Sequence, residues 1–592
     1  MKNKEVAKIL SKIADLYEIR GGDSFRVRAY RSAISQIENM GEDIEEVARR
    51  GELESIPGIG EATADKVRDI IETGTTPRYE ELKAQIPETL TELLQIPDVG
   101  PSTVRMLWQK LGITNMDELG QAARDHHIRD ETSLGERGEE QILRNMQMLR
   151  EYGQRFSLGA VLPLAEDVMA RLKETGLVKQ ISEGGSLRRR RDTIGDIDIV
   201  AETSDAKALS EAFIELPQVQ QVIESGATMT SVLVKGSAGG PPATLRVDVR
   251  IAEPGHFGAM LHHFTGSKYH NIKLRGMARE MGLTMNDYGV HRIDTGEMVV
   301  PGQDEEEIYR VLGLPLIPVE LREDRGEIEA AMEGRLPKLI EQGDIKGDLH
   351  VHTSASDGKN SLEEMVEAAQ QMGYRYLAIC DHANVVAPAA RRQSPDNAPT
   401  FGALLEEIHR LNKRLKGFRV LAGAEVHIRR DGSLELDSRL LEKLDIVVGS
   451  VHQRYKMDEE QMTERIVKGI ETGWLDILAH PTGRLINRRE PIEVNFDKVL
   501  DAARAHSTAL EMNTYPDRLD LNDIYARTAK EHGVRLAINS DAHRISELAS
   551  LRYGVMLARR GWLEASDVLN TLPLDDLLAW LSARRSRIAV RA

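Results

Sequence analysis

The sequence predicts a multidomain chain with three kinds of fold in series: an all-α N-terminal region of helical hairpins, an α+β region, and a C-terminal α/β barrel of seven strands. Three observations carry this. Helical periodicity with short Gly-containing turns runs to about residue 150, and period-two strand patterns take over between Val178 and Ile251. From Lys346 onward, short apolar runs alternate with longer amphipathic stretches, the rhythm of repeated βα units. A chain of 592 residues is also too long for one apolar core. The expected boundaries are 1–80 and 81–150 for two helical segments and 151–255 and 256–318 for the α+β part. A charged linker follows at 319–345, and the barrel occupies 346–592.

Composition narrows the setting. Hydrophobic content of 41% and charged content of 29% are ordinary for globular protein. No apolar run approaches the roughly 18–20 residues that span a bilayer, so no membrane partner is expected. The start, MKNKEVAKILSKIADLYEI, has helical period rather than an apolar signal core. The single cysteine, Cys380, excludes an internal disulfide framework and points to the cytoplasm. A net charge of −17 excludes a protein that coats DNA wholesale, so any nucleic-acid contact must rest on local segments. A monomer is expected.

The N-terminal region contains a small repeat, Ile56-Pro-Gly-Ile-Gly60 and Ile96-Pro-Asp-Val-Gly100, each ahead of an amphipathic helix. A Gly-x-Gly turn at a helix start leaves N–H groups pointing outward, a site for a phosphate oxygen. Gly58 and Gly60 fit that pattern; Asp98 and Gly100 fit it with the first glycine replaced. Units of this helix-hairpin-helix type hold duplex backbone without reading bases.

In the α+β region, a strand beginning at Asp196 places Asp196 and Asp198 on one face and Ile197 and Ile199 on the other. The later run Leu245-Arg-Val-Asp-Val-Arg-Ile251 puts Asp248 on a face with Arg246 and Arg250. If the strands are neighbours, three carboxylates form a site for two hard cations, which suits in-line phosphoryl displacement. Upstream, Gly184, Gly185 and Ser186 let backbone amides approach phosphates, and Arg189 can neutralise them.

Gly-Ser-x-Arg-Arg, Gly-Asp-x-Asp and Val-Asp-Val-Arg together resemble the nucleotidyltransferase palm of family X DNA polymerases, the group containing DNA polymerase beta. The resemblance implies Mg²⁺ (or Mn²⁺) on Asp196, Asp198 and Asp248, which act in catalysis, with Gly185, Ser186, Arg189 and Gly195 on the incoming dNTP. It further implies a nascent base-pair segment in which Phe264 and Gly266 lie near the sugar, Asn271 near the base and Arg275 near the template. His263 stands where the family usually has a tyrosine, which bears on sugar discrimination. The Gly/Pro-rich loop Gly236 to Thr244 is a second departure. The first hairpin is similar to the family's lyase domain: Lys66 falls on its Schiff-base lysine, and Arg26, Tyr30 and Arg31 fall near its 5′-phosphate pocket. A surface phosphate contact is the other reading of Lys66.

The barrel opens with Gly347-Asp-Leu-His-Val-His352, and ionisable residues recur at the ends of later apolar runs: Asp381 and His382, Glu425, His452, His480, Asp541 and His543. Chemistry in barrels collects at the carboxyl ends of strands. Imidazole plus carboxylate without thiolate suits Zn²⁺, Mn²⁺ or Fe. The series His-x-His, Asp357-Gly, Asp-His, Glu425, Ser-x-His, Ala-His-Pro and Ser-Asp-x-His resembles the PHP (polymerase and histidinol phosphatase) domain. That resemblance implies a three-ion phosphoesterase centre, of Mn²⁺ or Zn²⁺, on His350, His352, Asp357, His382, Glu425, His452, His480, Asp541 and His543. His427 and Arg484 are further candidates for a substrate phosphate.

The expected function is a polymerase that fills gaps in base-excision repair, acting on gapped or abasic DNA with dNTPs. Its barrel would supply 3′→5′ exonuclease, 3′-end processing and abasic-site incision. The alternatives are a DNA-end phosphoesterase whose polymerase half positions DNA, and a DNA-binding scaffold.

Overall fold

A computed structural model describes residues 2–22, 24–96, 99–152, 155–235, 244–382 and 401–591. The Gly236–Thr244 loop lies outside these except for Thr244. The chain divides into two compact units, Met1–Gln154 and Arg155–Ala592.

The first unit is all helix among its described residues, from Asn3–Arg20 to Gly135–Tyr152. Each hairpin turn leads into an amphipathic helix, α1 (Glu61–Thr73) and α2 (Pro101–Leu111). The segments expected as separate domains of 1–80 and 81–150 share one apolar core, which runs from Val6 through Ile56, Leu82 and Ile96 to Met146.

The second unit begins with a five-stranded sheet: β1 (Gln180–Glu183), β2 (Ile197–Glu202), β3 (Val219–Ser225), β4 (Met229–Lys235) and β5 (Thr244–Ala252). Its spatial order is β1-β2-β5-β4-β3, and β2 and β5 pair in parallel with Asp198 opposite Asp248. The two catalytic-looking strands are therefore neighbours. Helices α3 (Gly185–Arg188), α4 (Phe257–Thr265) and α5 (Lys268–Glu280) follow in chain order, α3 beside β2 and the other two leading into a thumb-like hairpin sheet, β6 (Leu283–Asn286), β7 (Gly289–Arg292) and β8 (Met298–Val300).

The stretch 319–345, expected as a linker, is built into the fold. Leu321, Ile328, Ala331 and Leu339 enter the thumb core, and Arg322 is only 1% exposed. Its charges find partners from distant elements: Arg322 with Glu305, Glu320 with Arg559, and Arg325 with Asp523. Burial pushes the Glu305 carboxyl up, but the Arg322 and Arg188 charges outweigh it and hold the group far below the usual carboxylate range. Pairing of this kind converts a polar segment into interior.

Seven parallel strands complete the chain: β9 (Gly347–Val351), β10 (Tyr376–Ile379), β11 (Arg419–His427), β12 (Ile446–Ser450), β13 (Ile477–Leu478), β14 (Ala509–Asn513) and β15 (Leu536–Asn539). They pair in sequence order, and the ring is drawn shut where the Asp541 N–H donates to the His350 carbonyl and the His352 N–H to that of Ala542. Leu349, Tyr376, Ala378, Leu421, Ile446 and Val448 fill the interior, and Leu569, Leu577 and Leu581 join the same cluster from the C-terminal segment. The mouth holding the strand ends is left for polar groups.

Among the described residues, no helix is long and apolar enough to cross a membrane.

Candidate functional site

The palm site rests on one glycine. A Cβ at Gly185, whose φ is +55°, would sit 2.3 Å from the Asp198 carboxylate, so only glycine lets the α3 turn press against that group. The Gly184 N–H donates to the Asp198 carbonyl at 2.7 Å, fixing the turn to β2. Asp248 is 4% exposed; its Oδ1 accepts from Arg246 Nε at 2.8 Å and from the Ser231 hydroxyl. Burial pushes the Asp198 carboxyl up to about 7, and the Asp196 and Asp248 charges push the same way. Mutual repulsion of this kind is what a bound cation relieves. Asp196 opens to solvent just ahead of β2, after Gly195. The trio is gathered more loosely than the barrel ligands, because Asp248 is turned onto Ser231 and Arg246.

Around this trio, Ser186 lies on α3, partly exposed. Arg189 donates through Nε to Glu323 at 3.0 Å and through Nη1 to the Thr265 carbonyl. Arg250 stacks its guanidinium 4.0 Å from the Phe264 ring centre. Gly266 carries a φ of +68° at the end of α4. Asn271 is 5% exposed and donates to the His263 carbonyl at 2.9 Å, while its Oδ1 is buried with no partner among the described residues. Arg275 follows on α5, close enough to lower the His263 imidazole, after burial. His263 packs on Phe264 at 4.9 Å between ring centres. If this pair faces the sugar of an incoming nucleotide, as the resemblance implies, the smaller ring excludes a 2′-hydroxyl less firmly than tyrosine, and steric discrimination of this size is worth about 1–3 kcal/mol. His263→Tyr is expected to raise the preference for dNTP over rNTP about tenfold or more, read as the ratio of kcat/KM values. An unchanged ratio would assign the choice to Phe264 or the backbone.

In the N-terminal unit, Gly58 has φ +82°, and a Cβ there would strike the Ser32 hydroxyl at 2.5 Å. The hairpin thus packs too closely for any side chain. Gly60 and Gly100 sit at the starts of α1 and α2 with extended backbone; Asp98 lies outside the described residues. Lys66 donates to the Ala62 carbonyl on its own helix. Arg26 is exposed. Tyr30 is 6% exposed and stacks on Tyr17, and Arg31 pairs with Asp15 at 2.5 Å and Glu18 at 2.8 Å. Those two side chains hold the helices together rather than opening outward.

The barrel mouth brings all nine proposed ligands together. Glu425 is the centre: its carboxylate lies 2.9 Å from His452, 3.1 Å from His480 and His382, and 3.6 Å from His350 and His352. Asp541 stands 3.2 Å from His352, and Asp357 spans His382 at 3.6 Å and His543 at 3.4 Å. Three sets of donor atoms, each within 4.8 Å of one another, result: His352, Asp357, His382 and His543; His350, His352 and Asp541; and His382, Glu425 and His452.

These residues fit metal ions. The Nε2 atoms of His350 and His352 face each other at 3.2 Å, and the buried Nδ1 atoms of His352 and His480 have no hydrogen-bond partner among the described residues. Lone pairs so arranged suit a cation better than each other. Burial pushes His382 down to about 4, keeping it a neutral donor. Burial opposes ionisation of Glu425, but His452 and His350 outweigh it and hold the carboxyl well below its usual range. Two ligands, His480 and Asp541, occupy left-handed backbone with φ of +30° and +53°, the sort of strain that surrounding structure must enforce.

Sequence reasoning missed the support. Glu511 lies 2.7 Å from His350 Nδ1, accepts from the His480 N–H, and accepts from Asn539. Asn513 donates to Asp541 at 3.0 Å. Partners of this kind orient metal-binding imidazoles; a carboxylate two residues before Asn513 on a strand ending at the mouth was the available signal. Arg518 was also missed: its Nε is 3.8 Å from Asp541, and its buried Nη1 has no hydrogen-bond partner among the described residues. Two expected phosphate contacts are otherwise engaged. Arg484 pairs with Asp192 at 2.9 Å and donates to the Arg518 and Leu519 carbonyls; His427 lies 3.3 Å from Arg465.

Comparisons with known proteins match three segments of the chain and, in one relative, nearly its whole length. The helix-hairpin-helix domain family matches residues 1–76, the DNA polymerase beta thumb residues 260–323, and the PHP domain residues 348–515. The chain is 36% identical over 581 residues to the DNA polymerase/3′-5′ exonuclease PolX of Bacillus subtilis, covering 98% of this chain and 99% of that one. A probable phosphatase of Caldanaerobacter subterraneus is 28% identical over 252 residues, 41% of this chain and 92% of its own. Rat DNA polymerase lambda is 22% identical over 344 residues, 53% of this chain and 55% of its own.

Proposed function

The chain belongs to the family X DNA polymerases that carry a C-terminal PHP domain, and on that premise we propose that it fills short gaps during repair of damaged DNA and processes the ends it fills. The observation that carries the hydrolytic half is the full set of nine ligands around Glu425. For the polymerase half it is the pairing of Asp198 with Asp248 beside the Gly185 turn.

In this reading Asp196, Asp198 and Asp248 hold Mg²⁺ (or Mn²⁺), and the nine barrel residues hold Mn²⁺ or Zn²⁺. Such ions supply charge neutralisation at the phosphate and an activated water or hydroxyl oxygen. The chain's own residues do the rest. The α3 turn offers backbone amides and Ser186 to the triphosphate, and Arg189 adds positive charge. Phe264, Gly266 and Asn271 form the floor under the sugar and base, and Arg275 meets the template. At the barrel, Glu511 orients His350 and His480, Asn513 orients Asp541, and Arg518 offers Nη1 toward a phosphodiester. The hairpins at Gly58–Gly60 and Gly100 grip DNA backbone, a contact weakened by salt and indifferent to sequence. Polymerase and hydrolase in one chain share ends at high effective concentration.

The test uses duplexes with a one-nucleotide gap ending in a 3′-hydroxyl or a 3′-phosphate, and a third with an abasic site, each given dNTPs with Mg²⁺ and Mn²⁺. The first should be filled, the second trimmed and then filled, the third incised. If the Mn²⁺- or Zn²⁺-loaded chain leaves every blocked or abasic substrate uncut, the end-processing reading fails. Lyase action by Lys66 is separable. Borohydride should trap the parent chain on abasic DNA but not Lys66→Ala; no adduct with the parent leaves Lys66 as a backbone contact.

A further inference from the structure

A barrel residue reaches into the polymerase site. Helix α6 (Leu551–Arg560) follows the last barrel strand, and its final residue, Arg560, is 2% exposed. Its guanidinium has two hands. Nη2 donates to Asp523 of the barrel at 2.9 Å, and Nη1 donates to Glu323 Oε1 at 3.0 Å and to the backbone carbonyl of Arg189. Glu323 Oε1 is the same oxygen that accepts Arg189 Nε. Arg560 therefore holds the main chain of Arg189 directly and its side chain through one shared carboxylate.

The charges explain why the arrangement matters. Glu323 is 8% exposed and would place a negative charge beside any triphosphate that Arg189 meets. Burial pushes its carboxyl up, yet Arg560, Arg189 and Arg191 outweigh burial and bring it down to about 2, so it is ionised at neutral pH. With Arg560 present the carboxylate is matched by a charge other than that of Arg189, one that Arg560 also shares with Asp523. Without it, Glu323 would draw on Arg189 and spend the positive charge meant for the nucleotide.

We propose that Arg560 of the barrel is a positioning residue for nucleotide binding in the polymerase site, setting Arg189 toward the dNTP through Glu323 and the Arg189 carbonyl. This makes the two enzymes structurally dependent on each other, and it rests on the reading that Arg189 contacts the triphosphate.

The test is steady-state gap filling by the full-length chain with Mg²⁺. Arg560→Met should raise the KM for dNTP about three- to tenfold with kcat within about twofold, as loss of a charge-assisted contact predicts. Arg560→Lys, which keeps the charge, should show a smaller rise. The decisive reading is the double variant. In an Arg189→Ala background, Arg560→Met should add nothing further to KM, because its route to the nucleotide is already cut. A merely structural role would add its effect in full, and full additivity overturns the proposal. So does an unchanged dNTP KM in Arg560→Met when Arg189→Ala raises it. If Arg189→Ala itself leaves KM unchanged, the assignment of Arg189 to the triphosphate is what fails, and the proposal falls with it. Should Arg560→Met not fold, Arg560→Gln, which keeps donor groups and removes the charge, is read the same way.

Discussion

Asp198→Ala is expected to lower primer extension about a thousandfold or more, since losing a ligand of a paired-cation site removes several kcal/mol of transition-state stabilisation. The expectation is specific to this position. Asp198 is opposite Asp248 in the parallel β2–β5 register, and the Gly185 turn is pressed against its carboxylate. Alanine also removes a group that burial and two neighbouring carboxylates have already pushed up to about 7, so folding should not suffer. Asp198→Asn, which keeps the shape and removes the charge, should match alanine in activity. Single-turnover incorporation on a gapped duplex gives the number, and cutting of a 3′-blocked end by the same preparation gives the control. Extension within about tenfold of the parent would place the catalytic cations elsewhere.

How much of this could be seen in the sequence depends on the range of the interaction. Alternation of side chains is local, so Asp196-x-Asp198 and Asp248 were legible, and their pairing followed from the strands being neighbours. Most of the barrel's candidate ligands were legible because they end apolar runs, whereas Asp357, in a turn after the first strand, came only from the resemblance. The first barrel strand shows where locality stops. Its register shifts between Asp348 and Val351, and Asp348, two residues before His350, accepts from Ser540 instead of joining the imidazoles. Arg484 was misjudged because its partner, Asp192, is distant in the chain, and no spacing rule reports such a pair. The segment 319–345 has the composition of a solvated linker. Only the fold shows Glu305, Asp523 and Arg559 waiting for its charges. Tyr30 and Arg31 fell on a pocket by resemblance, but their neighbours Tyr17, Asp15 and Glu18 turn them inward.

Glu425→Gln is expected to abolish hydrolysis at the barrel, by about a thousandfold or more, while gap filling by the palm persists. Glu425 is the one carboxylate that approaches five of the imidazoles, so it is the group whose charge joins the separate donor sets. Glutamine keeps the volume and one acceptor oxygen but loses the negative charge that offsets the cations. Metal content should fall with activity, measured on the purified chain by elemental analysis after reloading with Mn²⁺ or Zn²⁺. The thermal transition should also fall, because ions that bind only the folded barrel stabilise it by mass action. An Asp357→Asn variant makes a useful contrast: Asp357 is 45% exposed at the rim and approaches three of the imidazoles, His352, His382 and His543, so part of the metal should remain. Two results would count against this account. Retained cutting in Glu425→Gln would remove the central carboxylate from the mechanism. Loss of metal and cutting together with loss of gap filling would mean that the barrel's folding, rather than its chemistry, is what the polymerase half depends on.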